Sequence, residues 1–166
     1  MIKTIYLGLG SNLGDRALNL RRAVEKLESS DLRITRLSPL YETEPMDYRQ
    51  QPWFLNQVAE GETGLFPVQL LSRVGRVERA LGRVRGIPKG PRVIDIDILF
   101  FGQAVVRTPR LEIPHPAIAE RRFVLVPLAD LAPSLRHPVS HLTVREMLEK
   151  SPASKVTPYR ERELHS

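Results

Sequence analysis

The sequence predicts an α+β fold of the ferredoxin-like βαββαβ arrangement, with an additional C-terminal hairpin and helices. Three observations lead there. Period-two and period-3.6 apolar patterns follow one another in that order, turn-forming residues separate them, and no internal repeat or linker interrupts them. A chain of 166 residues with 42% apolar content can bury one ordinary core. Residues 1–150 are therefore expected to form a single domain, and the polar segment 151–166 to be a frayed tail.

The first strand is expected from about Ile2 to Leu9. Gly14 and Asp15 then start a helix from Arg16 to Glu28, with Leu20, Ala23, Val24 and Leu27 as its apolar positions. A second strand fits Leu32 to Leu40, and a third fits Phe54 to Thr63. Pro67 sits where a first-turn proline is tolerated, opening a helix that ends near Gly82. The β-branched run from Val93 to Phe101 reads as a buried strand and completes the core. Beyond it come a proline-punctuated loop around Ile113 to Pro116, short apolar segments from Phe123 to Leu131, and a helix from Val144 to Lys150.

Composition narrows the chemistry. The absence of cysteine excludes disulfides, thiolate metal sites and cysteine nucleophiles. No window approaches the ~20 apolar residues of a membrane helix, and MIKTIYLGLG lacks the pattern of a secretory signal, so the expectation is a cytoplasmic protein with no membrane partner. The net charge is +6, and the stretch from Arg73 to Arg92 holds seven basic residues against the single acid Glu78, an excess as large as that of the whole chain. Such a cluster suits a polyphosphate as well as a nucleic-acid backbone. Helical spacing sets Arg73, Arg76 and Arg79 opposite Leu70, Val74 and Val77, which reads as a solvated face.

The most informative segment runs from Gly90 to Gly102, where two carboxylates interrupt an apolar strand. Period two projects Asp95 and Asp97 from one face, roughly 6 to 7 Å apart by strand rise, with Ile94, Ile96 and Ile98 on the other. Hard oxygen ligands in that arrangement suit Mg²⁺, which takes one or two carboxylates together with substrate phosphates. Salt-bridged surface carboxylates on an edge strand are the plainer alternative, and the apolar flanks argue against it. The turn from Gly8 to Gly14 has the spacing Gly-x-Gly-x-x-x-Gly. That is a poor match to a dinucleotide fingerprint, and the phosphate-loop signature is absent.

Gly10-Ser-Asn-Leu-Gly14, Tyr41-Glu-Thr-Glu-Pro45, Phe54-Leu-Asn56, Gly90-Pro-Arg-x-x-Asp-x-Asp97 and Pro114-His115 occur in one order. In these motifs, from about Tyr6 to Pro133, the chain resembles the 6-hydroxymethyl-7,8-dihydropterin pyrophosphokinases of folate biosynthesis. The resemblance implies transfer of pyrophosphate from ATP to the pterin hydroxymethyl group, releasing AMP, by a ferredoxin-like monomer with two Mg²⁺ ions. It implies catalytic roles for Arg83, Arg92, Asp95 and Asp97, the two aspartates also holding the metals. Glu78, Arg85, Ile98, Arg110, His115 and Arg121 would surround the nucleotide. Thr43, Pro45, Met46, Phe54, Asn56 and Phe123 would bind the pterin, with the two phenylalanines as a sandwich. Taken one at a time, Phe54 and Phe123 also suit an ordinary core, His115 a satisfied histidine and Asn56 a strand end. Lys89 and Pro116 depart from the family pattern, and the loop after Arg85 is slightly short, which bears on closure of the segment Gly86 to Lys89.

Two other classes share some of these features. An RNA-binding module has the same βαββαβ order and a basic charge, but its third strand carries several stacking aromatics where this chain has only Phe54. An oxidoreductase built on the Gly8 to Gly14 turn would need a Rossmann sheet, which the strand order does not provide. No nucleic-acid partner is expected.

Overall fold

A computed structural model describes residues 1–45, 50–83 and 92–160. Its first element, β1 (Lys3–Ser11), alternates between two layers and lies between two antiparallel neighbours. These are β4 (Phe54–Thr63) and β5 (Asp95–Phe101). Helices α1 (Arg16–Leu27) and α2 (Pro67–Ala80) supply the crossovers, so the central strands and helices follow the βαββαβ order. Asp15 caps α1 by accepting from Leu18 N, and Gln69 Oε1 accepts from Phe66 N at the start of α2.

The expected second strand is divided. β2 (Leu32–Leu37) pairs with the Ala59–Thr63 end of β4, and β3 (Tyr41–Thr43) pairs with its Phe54–Asn56 end. The break falls at Ser38-Pro39, because proline has no N–H for a ladder and the Ser38 hydroxyl takes over as acceptor for Val58 N. The first strand also runs two residues further than its pattern suggested, through Gly10 and Ser11. Gly8 and Gly10 are therefore strand residues, and of these three glycines Gly14 alone, at φ 69°, has the left-handed conformation of a turn glycine.

One face of the sheet packs on α1 and α2. Ile5, Leu7, Leu9, Leu55, Ala59, Ile96 and Ile98 meet Leu20, Ala23, Leu27, Leu70, Val74 and Val77 in a single buried core. The other face is covered over half its length by α3 (Arg122–Leu131) and α4 (Val144–Lys150), which bury Tyr6, Val58, Leu99 and Phe100. The short apolar segments expected after Phe123 are thus one helix, α3, with Pro127 inside it. An interior proline removes a helical hydrogen bond, so the sequence pattern reads as broken, while burial of Val124, Leu125 and Leu128 holds the turn together. The expected hairpin is formed by β6 (Val106–Arg107) and β7 (Glu112–Ile113).

The tail departs from expectation. In place of fraying from Ser151, the chain returns as β8 (Val156–Pro158), pairing with β3 at the edge of the sheet. No local pattern signals this strand, because its three ladder pairs are supplied entirely by tertiary contact.

Candidate active site

Between the tip of the α3 layer and the end of β1, the second face of the sheet lies open. The reason is register. Gly8 stands across from Asp97 and Val58, and Gly10 across from Asp95 and Asn56. Directly opposed residues share a face, so both carboxylates and Asn56 project into space that the glycines leave unfilled. The cavity there measures about 420 Å³, and its walls include Thr43, Phe54, Asn56, Arg92, Asp95, Asp97, His115, Arg121 and Phe123.

One end of the cavity is ionic. Arg92 NH1 donates to Asp95 Oδ2 at 3.1 Å, and Arg83 NH1 lies 3.1 Å from Asp95 Oδ1. Arg83 also pairs with Glu78, whose Oε2 accepts from Ile96 N at 3.0 Å. Burial pushes the Glu78 carboxyl above its ordinary pKa, and the Arg83 guanidinium partly offsets that. Asp97 has a different setting. Among its described ion pairs, Arg121 NH1 stands at 3.6 Å and His115 Nε2 at 3.9 Å, too long for hydrogen bonds. Burial, reinforced by the neighbouring Asp95 charge, pushes the Asp97 carboxyl up to about 7.

His115 is neutral at physiological pH, because burial and then the Arg121 charge lower its pKa to about 4. Its Nδ1 accepts from Ala117 N at 3.2 Å, which places the remaining ring proton on Nε2, the nitrogen facing Asp97. Its backbone is fixed as well, by His115 N donating to Leu99 O at 3.1 Å.

The other end of the cavity is aromatic and amide-lined. Phe54, at the start of β4, and Phe123, in the first turn of α3, are half-buried there. Asn56 is buried between them and β1, and its Nδ2 donates to the Thr43 hydroxyl. The Arg121 guanidinium carbon lies 5.7 Å from the centre of the Phe123 ring, joining the two ends of the cavity.

Of the residues singled out in the sequence, Thr43, Phe54, Asn56, Arg92, Asp95, Asp97, His115, Arg121 and Phe123 meet at this cavity, and Glu78 and Arg83 adjoin it through Asp95. Three do not line it. The Ile98 side chain is in the opposite core, leaving only its backbone on this side. Arg110 occupies the exposed turn between β6 and β7, and Pro45 is buried outside the lining. Arg85 and Met46, with the segment Gly86 to Lys89, lie outside the described residues. Arg73 pairs with Asp31, and Arg76 and Arg79 are exposed, as a solvated face requires.

Sequence reasoning missed two contributions. Gly8 and Gly10 keep the floor open, a role signalled by their period-two spacing on a strand. Asn12 was the second. It is 2% exposed and uses both ends of its amide: Oδ1 accepts from Arg92 N at 2.7 Å, while Nδ2 donates to Gln51 Oε1 at 2.9 Å and Pro52 O at 3.0 Å. The Gly10-Ser-Asn-Leu-Gly14 motif contains this asparagine, but its role is not readable there, because its described side-chain partners are distant in sequence.

Comparison with known proteins agrees with this geometry. Residues 6–133 match the family model described as 7,8-dihydro-6-hydroxymethylpterin-pyrophosphokinase (HPPK). The chain is 41% identical over 143 residues to the Aquifex aeolicus 2-amino-4-hydroxy-6-hydroxymethyldihydropteridine pyrophosphokinase, covering 86% of this chain and 89% of that one. It is 43% identical over 148 residues to the folic acid synthesis protein fol1 of Pneumocystis carinii, covering 89% of this chain. It spans only about a fifth of that longer protein, which it matches over 20% of its length. Its fold resembles that of Plasmodium falciparum HPPK-DHPS solved with pteroate, at a TM-score of 0.71 and 19% identity, over 90% of this chain and 42% of that one.

Proposed function

Because the chain belongs to the 7,8-dihydro-6-hydroxymethylpterin-pyrophosphokinase family, we propose that it transfers pyrophosphate from ATP to the hydroxymethyl group of 6-hydroxymethyl-7,8-dihydropterin, releasing AMP. The observation that carries this reading is one cavity with two unlike ends: a carboxylate pair ringed by arginines, and a slot between Phe54 and Phe123. A triphosphate needs the first, and a flat heterocycle with polar edges needs the second.

In this reading Phe54 and Phe123 stack on the two faces of the pterin. Asn56, oriented by Thr43, offers its remaining donor and acceptor to the ring edge. Arg83, Arg92 and Arg121 bind phosphate oxygens. Glu78, through Arg83, and neutral His115 complete the described surroundings of the nucleotide.

Mg²⁺ fits the donor set. Asp95 and Asp97 are hard oxygen ligands on one face, each opposite a glycine, and the high pKa of Asp97 marks a carboxylate whose charge lacks sufficient compensation. These two would hold the metal, as two ions with ATP, and when bound it would neutralise the triphosphate and help orient it. The protein's own part is positioning. The pterin hydroxyl is held in line with the β-phosphorus; its oxygen bonds to that phosphorus and gives its proton to water as the bond from the β-phosphorus to the bridging oxygen breaks, and AMP leaves with that oxygen. Arg83 and Arg92, held against Asp95, stabilise the charge on the transferred group and on AMP.

Incubation with Mg-ATP and 6-hydroxymethyl-7,8-dihydropterin, followed by identification of the released nucleotide, tests the reading. AMP supports it, and ADP overturns it.

A further inference from the structure

The C-terminal strand β8 lies beyond residues 6–133, the span of the family match, yet it is bonded to β3, which carries Thr43. The pairing extends past the strand at both ends, with Tyr159 N donating to Leu40 O at 2.9 Å and Lys155 N to Glu44 Oε1 at 3.1 Å. A strand that merely shields a sheet edge needs no more than this ladder. Here the side chains add specific connections.

Tyr159 packs against the main core, and the Arg16 guanidinium carbon stands 5.5 Å from its ring centre. That same Arg16 donates through NH1 to Trp53 O at 3.0 Å and pairs with Glu42 at 2.8 Å. Trp53 is the residue before Phe54. On the facing wall, Arg122, the residue before Phe123, donates to Leu148 O at 3.3 Å and to Ser151 Oγ at 3.2 Å. The chain neighbours of both aromatic walls are thus fastened to the C-terminal segment.

We propose that Tyr159 and Arg16 are positioning residues for pterin capture, through which β8 holds the Phe54 wall of the cleft in its binding geometry. Neither touches the substrate. Their effect is exerted through Trp53 and Glu42, and the inference rests on the assignment of the Phe54–Phe123 slot to the pterin. Nucleotide binding, at the Asp95 and Asp97 end, should be indifferent to them.

The test uses the full-length protein. Fluorescence titration with oxidised 6-hydroxymethylpterin and calorimetric titration with a nonhydrolysable Mg-ATP analogue are run on the wild type, Tyr159→Ala, Tyr159→Phe and Arg16→Met. Tyr159→Ala is expected to weaken pterin binding by about five- to tenfold while nucleotide binding changes less than about twofold, and Tyr159→Phe, which keeps the ring face, should restore pterin affinity. Arg16→Met should show the same selective loss, and it decides the matter if Tyr159→Ala does not fold. Pterin affinity unchanged in the variants, even with a lowered melting temperature, overturns the positioning role alone. A wild type that binds no pterin overturns the underlying functional reading instead.

Discussion

Gly10 and Asn56 are cross-strand partners so closely apposed that a Cβ on the glycine would stand 2.8 Å from Asn56 Oδ1. Asn56 cannot easily yield, since it is buried and its amide is tied to Thr43. Gly10→Ala should therefore displace the amide that faces the pterin edge. The expected result is a loss of stability of about 1–3 kcal/mol from overpacking and a rise of at least about tenfold in pterin KM, the cost of one buried polar contact. Steady-state kinetics with each substrate varied in turn would check this. An ATP KM that rises as much as the pterin KM would contradict the assignment.

Asp97 carries a stability cost in the absence of ligands. Its folded pKa of about 7 lies above the ordinary 3.8, so the residue's contribution is fully present below about pH 4 and is lost as pH rises through 7. Asp97→Asn is neutral throughout. The variant should match the wild type near pH 4 and exceed it at pH 8 by about 1–2 kcal/mol, discounted because the side chain is 32% exposed. Denaturant melts at pH 4, 5.5 and 8 without magnesium would show the trend, and a gain independent of pH would refute it. Turnover by the same variant should be nearly abolished.

Asn12 joins Arg92, in the stretch leading into β5, to the segment before Phe54. Asn12→Ala removes the acceptor of the Arg92 N–H and the amide link to Gln51 and Pro52, at a cost of about 1–3 kcal/mol. Because both ends of the cavity lose a tether, KM for each substrate should rise, unlike the selective change expected at Gly10. Equilibrium unfolding together with two-substrate kinetics would distinguish the two patterns.

Arg92 makes its described side-chain contact with Asp95, leaving its guanidinium directed at the carboxylate end of the cavity. Removing such a preorganised donor costs about 3–4 kcal/mol in the transition state. Arg92→Ala should lower kcat about 100- to 1000-fold while the affinity for the ATP analogue falls only several-fold. Single-turnover measurements alongside binding would decide; equal losses in both would place the arginine in ground-state binding only.

Much of this architecture is legible along the chain. The expected bounds Phe54–Thr63 and Val144–Lys150 coincide with β4 and α4, because alternation and helical periodicity are short-range signals. The Asp95-x-Asp97 pair was legible for the same reason, since period two alone puts both side chains on one face. Ser38-Pro39 and Pro127 misled in opposite ways. The first broke an expected strand, and the second lies within a helix that burial sustains despite the lost hydrogen bond.

Spacing along one strand dictates which side chains share a face, and the order of patterned segments dictates the βαββαβ path, because both depend on backbone geometry within a few residues. Register between strands is another matter. Only the folded sheet sets Gly8 against Asp97 and Gly10 against Asp95 and Asn56, brings Arg121 to Phe123, and returns the tail as β8 beside Thr43. Those pairings join residues tens of positions apart, and their energies arise from burial and hydrogen bonding that no local pattern encodes.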